Sequence, residues 1–423
     1  MSLTSALNAS VGALRAQGAA IGAVSENIAN ASTTAYKIKT INFQALVTGE
    51  GNTASGGVLF TAAQNVDVTG QISSTGNTTN LAIKGGGFFV VTDNLQNKPS
   101  SYAYSRNGNF STDSSGNLVN DEGYYLLGQV TDVTGVVTAT NKTDLNSLEP
   151  ISLNAIKGAA SPTSLVIEQL NLPADATISS SFTSSIEVFD SLGISSTVDQ
   201  TWTKTGINAW TLTLADPHLT TDTSITTGTI APASIAFVFN GDGSLLSTTP
   251  APDLTVTGWT TGANDSNVSL DVGTIGRTDG ISQFSSNTTN PDLEISAITG
   301  NGARFGNLSS IEIDSEGLVT AVFDNGLRQP VYQVPVATFQ NPNGLTHING
   351  SVYDENQNAG NVTLQLPNVG NAGGIVSSAL EESTSDTSEE FNKMIVAQQG
   401  YSAAAQIIST VKTMYDTLTQ AVR

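Results

Sequence analysis

Both ends of this 423-residue chain carry apolar residues at helical spacing, and no comparable period runs through the middle. In residues 2–30, Leu7, Leu14, Ile21 and Ile28 fall seven apart, with Leu3 and Val24 on interleaved positions. In residues 383–423, Met394, Ala397, Tyr401, Ala404, Ile408, Val411, Tyr415, Leu418 and Val422 alternate spacings of three and four without a break. Such spacing lays one apolar stripe along one face of a helix. Neither segment contains proline. Two stripes at opposite ends of one chain predict that the ends pack together as a coiled-coil-like module, with the middle as an excursion between them. The expected class is therefore α+β and multi-domain, with paired terminal helices and β-rich antiparallel sandwich or barrel domains in between.

The second helix has a marked start. Thr387 with Glu390, or Asp386 with Glu389, forms a capping-box pattern. Glu381, Glu382, Asp386, Glu389 and Glu390 gather at the positive end of its dipole, with Lys412 and Arg423 toward the negative end. The first helix is poor by itself, because Gly12, Gly18 and Gly22 each cost about 1 kcal/mol relative to alanine. Its small residues, Ala9, Ala13, Ala16, Ala19, Ala20 and Ala23, let other helices approach closely. Both termini are expected to be loose in a monomer and to order on assembly.

From about residue 58 to 370 the texture is Thr, Ser, Gly, Asn and Val, with short runs such as SIEVFD (185–190) and AWTLTLAD (209–216). β-Branched and aromatic residues at period two, bounded by turn residues, read as strands and hairpins. Three segments share a theme: FSTDSSGNLV (110–119), FVFNGDGSLL (237–246) and IEIDSEGLVT (311–320). A calcium loop needs a bidentate Glu at its twelfth position, and Tyr124 and Asn325 stand there instead. Hairpin turn chemistry explains these segments better. KGGGFF (84–89) reads as a hairpin rather than a phosphate cradle, and Trp202, Trp210 and Trp259 read as packing residues.

With 15 basic against 36 acidic residues the chain carries a net charge of −21, which argues against nucleic-acid and anionic-membrane partners. Only His218 and His347 exist, far apart, leaving little room for a His-ligated metal or a Ser-His-Asp triad. No catalytic, cofactor or metal residues are nominated, and no small-molecule substrate is expected. Cysteine is absent, which suits a protein that leaves the cell unfolded. The start lacks a basic region before its apolar positions, so export without a cleaved signal peptide is expected. A surface adhesin is the competing non-enzymatic reading.

NIANASTTAYK (27–37) resembles the signature of flagellar rod and hook axial proteins; its matching positions are Asn27, Ile28, Ala29, Asn30, Thr34, Tyr36 and Lys37, with Ala35 where that family has glycine. LAIKGGGFFVV (81–91), YSRNGNFSTDSSGNLVNDEGYYLLG (104–128) and the closing block 374–418 are similar to further family elements in order. The large insertion at 149–297 favours the hook branch over the shorter distal-rod or junction relatives. The resemblance implies a helical homopolymer: a curved tube serving as a universal joint between rod and filament. Implied partners are other copies of the chain, rod, hook-cap and hook–filament junction proteins, and the flagellar type III export apparatus. It also implies an organisation: 1–30 with 383–423 as the inner helical core, and 31–70 with 371–382 as connector. Residues 71–148 with 298–370 would form a middle domain, and 149–297 an outer one.

Overall fold

Short apolar runs punctuated by glycine and Asx residues fold as strands, and the uninterrupted ends fold as helices. The structure, a computed structural model, describes residues 3–46, 57–95, 101–156, 158–286 and 290–421. The long helices are α1 (Leu3–Ala29) and α2 (Thr387–Ala421). No helix among the described residues is long and apolar enough to cross a membrane. The chain divides into two compact units, one from residues 1–156, 311–321 and 329–423, the other from 157–310 and 322–328.

The first unit holds both helices. They run antiparallel: Asn27 bonds Glu390, and ten residues back along α1 Gln17 stands beside Gly400, ten residues forward on α2. On this register Leu3 falls opposite Met414, so α2 from Tyr415 onward runs past the start of α1. Glycines do not break α1, because it is braced by α2 and by the antiparallel hairpin Lys39–Leu46 and Gly57–Gln64. A Cβ at Gly12 would stand 3.4 Å from the Val58 backbone, so that glycine admits the hairpin. The support α1 needs thus lies within the chain.

Gly18 and Gly22 have nothing within 4 Å of an added Cβ. Gly18→Ala and Gly22→Ala are each expected to stabilise α1 by about 1 kcal/mol, read as a higher melting temperature of the monomer's helical circular dichroism.

Two small pairings lock the chain ends to the β part: Ile72–Ser74 with Ala379–Glu381, and Leu81–Lys84 with Gly374–Ser377. Beyond them Phe88–Thr92 pairs with Ala103–Ser105, Tyr125–Val130 and Val336–Thr338. Their inner faces close on Phe88, Val90, Tyr104, Leu127, Ala337 and Tyr353. The KGGGFF segment is not the hairpin expected from sequence. Leu81–Lys84 and Phe88–Thr92 enter different sheets, and the glycines between them fit where the backbone is crowded. A Cβ on Gly87 would lie 2.2 Å from Val336 Cγ1.

The second unit is a sandwich of a six-stranded and a seven-stranded sheet. Its core takes Val166, Leu170 and Leu172 from the first and Val198, Leu212 and Phe237 from the second, with Trp202, Trp210 and Trp259 all buried in it. The sheets are not wholly antiparallel. Leu165–Pro173 runs parallel to both Ser266–Asp271 and Ile281–Phe284, which long excursions permit.

The three Asp–Gly segments are all hairpin turns. Asp113 accepts the amides of Ser115 and Asn117, Asp314 those of Glu316 and Leu318, and Asp242 that of Ser244. Gly116, Gly243 and Gly317 supply φ near +80°, which an L side chain resists. The same turn recurs at Asp132–Gly135 and Asp190–Gly193, which the sequence reading missed.

Candidate assembly site

The signature segment leaves α1, turns, and enters the hairpin, and three of its polar side chains, Asn27, Tyr36 and Lys37, are buried. Asn27 is buried and uses every hydrogen-bonding position of its amide. Its Nδ2 donates to Lys39 O and Glu390 Oε2, both at 2.9 Å, while its Oδ1 accepts from Tyr36 Oη at 3.1 Å and Lys39 N at 2.9 Å. One side chain therefore joins the end of α1, the strand that follows it and the first turn of α2. Burial, with Glu26 and Glu390 nearby, pushes the Tyr36 hydroxyl up to about 12, so it stays a donor. Ser385 Oγ donates to Asn27 O, and Thr384 exchanges bonds with Tyr36 and Ile38. Asn30 holds the helix end by donating to Glu26 O, and Thr34 O accepts from Ser351 Oγ. Ile28 and Ala29 lie on α1's half-buried and exposed sides.

Ala35 sits at φ +56°, fully buried, with its amide bonded to Glu381 O. That is the left-handed region glycine adopts freely, so this chain holds an alanine where the turn favours glycine. Lys37 is fully buried too. Its Nζ donates to Val68 O at 2.6 Å and to Glu381 Oε1 at 2.5 Å. Glu381 also accepts the Gly70 amide at 2.6 Å and Arg106 Nη1 at 3.3 Å. Burial is the first reason that Lys37 and Arg106 both lie below their ordinary values, and Glu381 partly offsets it for each. The cluster thus ties Lys37 after α1, the Gly70 amide and Arg106 to one anion, Glu381, which stands just before α2.

Glu381 and Glu390 were read from sequence as helix-dipole charges. Asp386 fills that role, accepting the Ser388 and Glu389 amides as the cap of α2. Glu390 does stand in the first turn of α2, with Glu389, and is also the buried partner of Asn27, whereas Glu381 lies before the helix as the buried partner of Lys37. Arg106 lies in the quoted YSRNGNF run, but nothing in the sequence pairs it with a residue 275 positions away.

The stripe residues divide. On α2, Ala397, Ala404 and Val411 are buried and seven apart, in line with buried Glu390. The other row is open: Met394 and Ile408 are half-buried, while Tyr401 and Tyr415 are 43% and 37% exposed; Leu418, next in line after Val411, is 63% exposed. On α1 the small residues Ala16 and Ala23 are buried, with Val24 and Asn27. Leu7, Leu14, Ile21 and Ile28 are only half-buried. The Leu3 side chain and Val422 lie outside the described residues. Alanine presents a narrow face, so the contact closes over one row rather than the two that a coiled-coil seam buries. Phe391, Ile395, Val396 and Met414 add to the apolar surface left open on α2.

Three family profiles match the chain. Residues 82–181 match "Flagellar hook protein FlgE/F/G D1 domain", residues 152–303 "Flagellar basal body protein FlaE D2 domain", and residues 376–421 "Flagellar basal body rod FlgEFG protein C-terminal". The flagellar hook protein FlgE of Rhizobium meliloti (strain 1021) is 31% identical, with 99% of each chain covered. The chain belongs to the flagellar hook protein family. Two further relatives carry the same name. That of Brucella suis biovar 1 is 30% identical over 99% of both chains, and that of Escherichia coli K12 is 30% identical over 98% of this chain and 99% of its own. Within this hook-family chain the C-terminal profile spans all of α2, and the D2 profile falls mainly on the sandwich unit.

Proposed function

We propose that the chain is the structural subunit of the bacterial flagellar hook, self-assembling into a curved hollow tube that transmits torque from rod to filament. The observation that carries this reading is the second, uncovered apolar row of α2. An apolar row along a 35-residue helix, beside a row already buried, fits a surface that other copies cover. The coiled-coil-like packing expected from sequence is then completed between subunits. In this arrangement the terminal helices, 1–30 and 383–423, form the inner tube. Residues 31–70 and 371–382 connect it to a middle layer of 71–148 and 298–370, with 149–297 outermost.

Catalysis has no part in this role. The partners are further copies of the chain, the rod, cap and junction proteins at its ends, and the type III export apparatus that delivers it outside the cell. The Asn27 and Lys37 clusters hold both chain ends in register, so that each subunit offers its two helices as one surface. Ser-, Thr- and Asn-rich β surfaces suit contacts that slide and re-pair at little cost.

A strain deleted for this chain is expected to lose its external filaments and its motility, and to regain both on complementation. Filaments of normal number on the deleted strain would overturn the reading.

A further inference from the structure

Glu168 lies in the core of the sandwich unit, on the same inward face of Leu165–Pro173 as Val166, Leu170 and Leu172. It is fully buried and faces Gln200, also fully buried, on Ser195–Gly206 of the opposite sheet. The Glu168 Oε1 to Gln200 Nε2 distance is 2.5 Å, and Oε2 has no partner. Gln200 Oε1 stands 2.7 Å from Ser184 Oγ, which accepts from Trp202 Nε1 at 3.1 Å. This polar chain crosses the gap between the sheets inside the core.

An ionised carboxylate does not suit this place. Among the described residues no cation is aimed at it, and a charged oxygen without any partner in a core is costly. The Gln200 amide has the same shape after a half-turn. Turned so, its oxygen meets Glu168 and its nitrogen donates to Ser184 Oγ.

We propose that Glu168 is a pH-sensitive latch between the two sheets: as the neutral acid it donates its proton to the Gln200 side-chain carbonyl, and losing that proton weakens the sandwich. Burial pushes this carboxyl up to about 7, with the Gln200 bond the only opposing influence. The charged groups on the surrounding strands are all directed elsewhere. Lys204 gives its Nζ to Ala174 O and Ala176 O, Glu187 bonds Ser195 Oγ, and Asp199 lies 3.2 Å from His218. Asp271 and Glu294, on the strands beside Leu165–Pro173, are exposed.

The direction follows from linkage. In the unfolded chain the carboxyl returns to its ordinary 4.5, so its contribution is fully present below that pH. It falls as pH rises and is gone above about 7, an overall loss of about 300-fold in the folding constant. Asp175, Asp222, Asp242 and Asp279, held below 3.8 by hydrogen bonds, act only at lower pH and with opposite sign.

All three tryptophans lie in this unit, so urea unfolding of the full chain followed by tryptophan emission reports on it alone. Between about pH 4.5 and 8 the wild-type constant is expected to fall about 150-fold, and that of Glu168→Gln, which cannot ionise, less than about 10-fold. His218 is common to both proteins. Equal pH slopes would overturn the latch. Should Glu168→Gln fail to fold, carbon-13 NMR of the wild-type carboxyl decides: a protonated Glu168 at about pH 6 supports the proposal, and an ionised one refutes it.

Discussion

Replacing Glu381 by leucine is expected to destabilise the joint between the chain ends by about 3–5 kcal/mol, because two cations then stay buried without their anion. Lys37 and Arg106 are both almost wholly inaccessible, and the Gly70 amide loses its acceptor in the same step. A loss of that size lowers the melting temperature of the helical circular dichroism by about 10 °C. Tryptophan emission should change much less, since all three tryptophans belong to the other unit. Adding Lys37→Met to Glu381→Leu is expected to recover part of the loss by removing one of the stranded charges. An unaltered helical melt in Glu381→Leu would show that the cluster does not hold the ends together.

Aspartate at the exposed apolar positions of α2 is expected to abolish polymerisation while sparing the monomer. Leu418 and Tyr401 touch little within the chain, so Leu418→Asp and Tyr401→Asp should change monomer stability by less than about 0.5 kcal/mol. At a subunit contact the same carboxylate is buried unpaired, at a cost of several kcal/mol. Even about 3 kcal/mol raises the concentration needed for assembly more than about 100-fold. Ile408→Asp and Leu14→Asp, on half-buried positions, should block assembly too, with some loss of monomer stability. Ile207→Ser, at a position 87% exposed on the sandwich unit, should leave polymerisation intact and act on curvature or stiffness. Sedimentation separates these cases: polymer from Leu418→Asp at wild-type concentrations would contradict the division of labour.

Periodicity located both helices and their shared surface, because a stripe of apolar residues needs no knowledge of distant partners. It did not show that α1 would meet α2 through Ala16 and Ala23, which leaves the larger row 394, 401, 408, 415 uncovered. Small residues carry little signal in a hydrophobic pattern, yet they decide how closely helices approach. Turn chemistry was equally legible at Asp113, Asp242 and Asp314, where the acceptor, the glycine and the amides lie within five residues. The KGGGFF segment was not, because its glycines answer to Val336 and to the 371–373 backbone, far along the chain.

The polar clusters mark the sharper limit. Asn27 and Lys37 stood out within the signature segment, but their buried partners Glu390 and Glu381 looked like ordinary charges at a helix start. Glu168 drew no attention in a strand of alternating residues. Both are decided by what the fold brings opposite them, which local pattern does not encode.

The most direct measurement is a cryo-electron microscopy reconstruction of the polymer formed by the purified chain. The account predicts a curved hollow tube whose inner wall buries Tyr401, Ile408 and Tyr415 between neighbouring subunits. A straight rod, or a tube in which these side chains face solvent while the sandwich units make all the contacts, would contradict it.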